Sequence, residues 1–105
     1  VYAFPPKYIK EMNAGVALGK SKMQEGLAET VVAIKKLKKQ ADRVEMYEFA
    51  ITVAERLIKK TREYKKEVLD MLPPPIAESN RRMANCVIAH QKSAIAQFRA
   101  EMRKK

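Results

Sequence analysis

A chain of 105 residues has the length of one domain, and 22 Lys and Arg against 12 Asp and Glu give it a formal charge of +10. One Cys and one His exclude an internal disulfide and a four-ligand structural zinc site, and no uncharged stretch approaches the roughly 20 apolar residues of a membrane-spanning helix. With 47% hydrophobic residues the chain is too apolar for a disordered basic tail, so it is expected to fold and to meet an acidic counterpart.

Residues 1–6 cannot be helical before Pro6 and read as an extended arm. Tyr2, Phe4 and Tyr8, three of the seven aromatics, stand around its Pro5-Pro6 step. They would either anchor in a partner's groove or fold back over the chain's own core. A start at Val1 in place of Met fits removal of a leading piece. A cleaved organellar presequence puts the mitochondrion among the expected locations, and a lone unpaired Cys suits a reducing, intracellular compartment.

From about residue 7 to 72 the composition is helical, with neither Gly nor Pro between Leu27 and Leu72. Steps of 3 and 4 from Ile9 pass through Met12, Val16, Gly19, Met23, Gly26, Thr30, Ala33, Leu37 and Gln40. They continue through Val44, Tyr47, Ile51, Ala54, Ile58, Thr61, Lys65, Val68 and Leu72. These 19 positions hold one charge, whereas 24 charged residues in a window of 64 would place about seven there by chance. The spacing therefore predicts a coiled-coil-like seam, closely packed in its first half, where Gly, Thr and Ala replace large residues. Unbroken phase favours one rod of roughly 95 Å. Against it, Asp42-Arg43-Val44-Glu45 resembles a capping box, which would divide the rod and give a compact three-helix bundle as the alternative. Off-seam apolar residues, including Leu18, Val31, Val32, Ile34, Phe49, Val53, Leu57 and Leu69, are expected to broaden the buried face.

Pro73, Pro74 and Pro75 end the helix in a turn, and a second seam, Ala84, Ile88, Gln91, Ile95, Phe98 and Met102, predicts a folded-back final helix over about 76–103. Cys86 and His90, four apart on one face, are the only nucleophile-and-base pair and read as residues bordering the core. No carboxylate pair, phosphate loop or metal set accompanies them, so no catalytic residue, cofactor or metal ligand is assigned. Gly15 and Gly19 read as a small-residue contact between helices.

The basic clusters carry the functional reading. Lys38 and Lys59, like Lys39 and Lys60, are three heptads apart and would share an outward face, about 31 Å apart, with Lys66 one heptad beyond Lys59. Lys35, Arg99 and Arg103 complete the candidate partner-binding set with the aromatic arm. Fifteen Lys against seven Arg favour an acidic protein or lipid-headgroup partner over structured RNA. The expectation is a non-enzymatic structural or accessory subunit, one basic helical domain or strut across 1–105, bridging components of a larger assembly. The alternatives are a ribosomal- or nucleoid-type nucleic-acid-associated protein and a binder of an acidic coiled-coil filament. A coiled-coil partner or a homo-oligomer fits any of the three.

Overall fold

The computed structural model describes residues 6–104, with Tyr8 by its backbone alone. Three long helices fill it: α1, Pro6–Lys35; α2, Gln40–Glu67; and α3, Pro74–Arg103, with a short 3-10 turn at Leu69–Met71 before α3. Among the described residues there is no strand. The all-α class, the proline turn and the folded-back final helix are as expected. The expected continuous helix over 7–72 is not: it breaks at residues 36–39.

Local charge favours the break. A helix running through Lys35, Lys36, Lys38 and Lys39 would stack three like-charged pairs at three- and four-residue spacing, each costing about 0.2 to 0.5 kcal/mol. Ending α1 at Lys35 instead places a cation at the negative end of the helix dipole. The Leu37 N–H closes a tight turn on the Ile34 carbonyl at 3.0 Å. Arg43 reaches back from α2 and donates to the Leu37 carbonyl at 2.6 Å and the Lys38 carbonyl at 3.0 Å, satisfying turn acceptors that a continuous helix would have paired itself. The capping box is not the device. The N-cap is Lys39, with no side-chain cap, and Asp42 merely lies in the first turn.

The seam explains the packing. All four buried residues of α2, Tyr47, Ile51, Ala54 and Ile58, are seam positions. In α1 the phase slips by one: Met12, Val16, Gly19 and Met23 turn inward, then Leu27, Val31 and Ile34 do so in place of Gly26, Thr30 and Ala33, which are exposed. The apparent phase continuity across residues 37–40 therefore joined two different faces. Only Gly19 lies against another helix, where a Cβ would meet the Met83 methyl at 2.6 Å and the flexible Met83 side chain would have to shift, whereas Gly15 and Gly26 face open space.

The prolines occupy the N-cap and first two positions of α3, where a missing N–H costs nothing, so α3 begins two residues earlier than the expected Ile76. Lys35 lies 3.6 Å from Glu101 and Asn13 lies 3.0 Å from Arg82, so α1 runs parallel to α3. Lys65 bonds Asn85, and the Tyr47 and Phe98 rings lie 5.8 Å apart, so α2 runs antiparallel to it. α3 packs most extensively on α2, then on α1, and α1 and α2 touch each other least. The result is an elongated layer of 59 × 25 × 14 Å with α3 shared by both neighbours. Its main core joins Val31 and Ile34 to the α2 seam and to Ala94, Ile95 and Phe98. Leu69, 1% exposed, is buried at the other end, in the 3-10 turn that packs between α2 and α3.

Candidate interaction surfaces

The α1–α2 turn brings basic residues from the middle of the chain to the C-terminal end of α3. Lys35 ends α1, Lys38 and Lys39 form the turn, and Arg99 and Arg103 stand exposed on the last turns of α3 beside them. Glu101 lies within this group as its chief local counter-charge, with Lys104 at 2.9 Å and Lys35 at 3.6 Å. The hydrogen bond from Lys104 holds the Glu101 carboxyl below its ordinary range; burial opposes this, and the charges of Lys104 and Lys35 reinforce it. Next to them Tyr47, 2% exposed, has a hydroxyl without a hydrogen-bond partner. Burial raises its pKa and so does the Glu101 charge, while Arg43 and Lys104 work the other way. A small cavity of about 200 Å³ opens here between the turn and the end of α3.

The remaining lysines separate. Lys38 and Lys39 lie in the turn, so they share no helical face with Lys59 and Lys60, contrary to the heptad reading. Lys59 and Lys66 line a shallow groove between α2 and α3 with Arg62 and Lys92, tempered by Glu55 and Glu63. Lys60 points to the other flank of α2, beside Tyr64 and Met83, and lies 3.9 Å from Glu63. Tyr2 and Phe4 lie outside the described residues, and Tyr8 is on the first turns of α1.

A second surface was not singled out as a site from the sequence. Because α1 and α2 diverge above α3, they leave a groove of about 550 Å³ whose 15 lining residues include no Lys, Arg, Asp or Glu. In a chain that is 32% charged, that composition is selective. Met46, Phe49 and Val53 form its α2 wall and Ala94 and Phe98 lie at its floor. The off-seam Phe49, Val53 and Leu57, expected to be buried, are instead 64%, 50% and 41% exposed, and Leu18 and Val32 are also exposed. Their spacing of 4 along α2 was the available signal.

His90 borders this groove and Cys86 is half-buried one turn earlier. No three His, Cys, Asp or Glu residues gather to hold a metal ion among the described residues, and no described helix is long and apolar enough to cross a membrane. Comparison with family models, with curated proteins and with solved structures finds no match, so any functional reading rests on these surfaces alone.

Proposed function

We propose that the protein is a non-enzymatic, basic helical accessory subunit that docks on an acidic surface of a partner protein through the end where the α1–α2 turn meets the C-terminus of α3. The supporting observation is the convergence of Lys35, Lys38, Lys39, Arg99 and Arg103 at that end, where Glu101 is already shared by Lys35 and Lys104. A concentration of like charge at one end of an elongated molecule steers encounter and orients the docked chain. The rest of its 59 Å length then extends from the anchored end toward a second component, which is how it bridges subunits of an assembly. A mitochondrial or other reducing compartment belongs to the same proposal.

A photo-crosslinker at Lys38 or Arg103, compared with one at exposed Ala17 in the first half of α1, tests this in the native source. The expected result is a protein adduct from Lys38 and Arg103 whose cross-linked peptide is acidic, lost when Lys39 and Arg99 are reversed to Glu. Ribonuclease-sensitive adducts from the same positions would replace the reading with nucleic-acid binding.

A further inference from the structure

The exposed flank of α2 has a second regularity. Asp42, Met46, Phe49, Val53, Arg56 and Lys60 follow one another at 4, 3, 4, 3 and 4 residues, a seam of its own on the side of α2 turned away from the buried one. This spacing reads identically in both directions, with its centre at Ile51. Its chemistry does not: an acid stands at the N-terminal end, apolar residues in the middle and bases at the C-terminal end. Glu45 adds a second acid next to Met46. A two-fold axis near Ile51 therefore sets opposite charges against each other.

We infer that this seam and the apolar groove beside it are the interface of an antiparallel two-fold dimer, α2 of each copy lying in the groove of the other. In that register Phe49 packs on the second copy's Val53, and Met46 packs along the alkyl stem of the second copy's Arg56, whose guanidinium meets Glu45. Asp42 pairs with the second copy's Lys60. The weak contact of Lys60 with Glu63, between side chains that are 72% and 44% exposed, is given up at little cost. A parallel pairing would instead oppose Asp42 to Asp42 and Lys60 to Lys60, so the charges choose the direction.

The net charge of +10 does not forbid this pairing. Lys38 lies 13 residues from the axis, so the two cationic turns stand about 40 Å apart at opposite ends of the dimer, well beyond the Debye length of about 8 Å. The contacting surface itself is uncharged along the groove. An acidic helix from another protein is the weaker occupant, because the α2 rim carries acids and bases in equal number: Asp42 and Glu45 against Arg56 and Lys60. The inference does not rest on the proposed docking of the basic end. It does add to it, since a dimer presents two such ends facing opposite ways.

Sedimentation equilibrium of the full chain over a wide concentration range tests the pairing. The expected species is a dimer, with Phe49→Glu weakening association by about 30-fold or more while far-UV circular dichroism stays unchanged, since that side chain is mostly exposed. Asp42→Lys alone should weaken the dimer, and Asp42→Lys combined with Lys60→Asp should restore it. A chain that stays monomeric throughout, or a dimer indifferent to Phe49→Glu, would overturn the interface. A double charge swap that fails to restore association would overturn the antiparallel register.

Discussion

Tyr47 shows how the core and the charged end are joined. Its ring stacks at a tilt on Phe98, 5.8 Å away, and anchors α2 to α3, but its hydroxyl ends among Arg43, Glu101 and Lys104 with no partner of its own. A buried hydroxyl without a hydrogen bond costs about 1 to 3 kcal/mol, so Tyr47→Phe keeps the stacking and removes the penalty. Thermal unfolding of the variant should show a gain of about 1 kcal/mol at neutral pH. The alkaline limb gives a second readout. Burial and the Glu101 charge raise the phenol's pKa in the folded state, so the fold binds that proton more tightly than the unfolded chain does. Stability is then fully present below the unfolded value near 10 and falls as pH rises through the folded one. Tyr47→Phe should abolish this part of the alkaline loss. Equal stability of both proteins at neutral pH, with parallel alkaline limbs, would mean that the hydroxyl finds a partner in solution.

The hairpin turn holds the arrangement of the elements. Without it α1 and α2 would make one rod, and no groove or basic end would form. Arg43 donates two hydrogen bonds to turn carbonyls, and bonds from a charged donor contribute about 1.5 to 3 kcal/mol each where they are shielded from water; one of the two is part-buried. Arg43→Met keeps the stem and loses the guanidinium, so it should destabilise the hairpin by about 2 kcal/mol in denaturant unfolding. Spin labels at exposed Leu18 and Leu57 should broaden in distance as the turn loosens. The α2 and α3 seams were legible because large residues at 3-4 spacing stand against a charged background, and the proline turn because three prolines leave no other choice. The turn at residues 36–39 was not legible in the same way. It is favoured by the accumulation of Lys35, Lys36, Lys38 and Lys39 and held by a reach-back from Arg43, neither of which disturbs hydrophobic periodicity. The slip of phase in α1 was masked because both alternatives, Gly26-Thr30-Ala33 and Leu27-Val31-Ile34, avoid charge.

At the scale of the whole molecule, shape and charge set opposite demands. A radius of gyration of 17.1 Å is well above the roughly 13 Å of a compact domain of this length, so little surface is buried per residue. Folding nevertheless gathers Lys35, Lys36, Lys38, Lys39, Arg99, Arg103 and Lys104 at one end. Salt screens their mutual repulsion, because the Debye length falls from about 30 Å at 0.01 M to about 8 Å at physiological ionic strength. Added salt should therefore raise the thermal midpoint of the chain alone while lowering its affinity for an acidic partner. Lys39→Asp separates the two effects at one position. It relieves the repulsion and supplies the N-cap that α2 lacks, a change that stabilises helices by about 0.5 to 2 kcal/mol, and it reverses a charge at the proposed docking end. The variant should unfold at a higher temperature than the native chain, show a flatter salt dependence of that temperature, and bind the partner more weakly. A lysine at an N-cap position is locally unfavourable, and its presence is explained if the charge is needed for docking. Equal partner affinity in the more stable variant would show that Lys39 lies outside the docking surface.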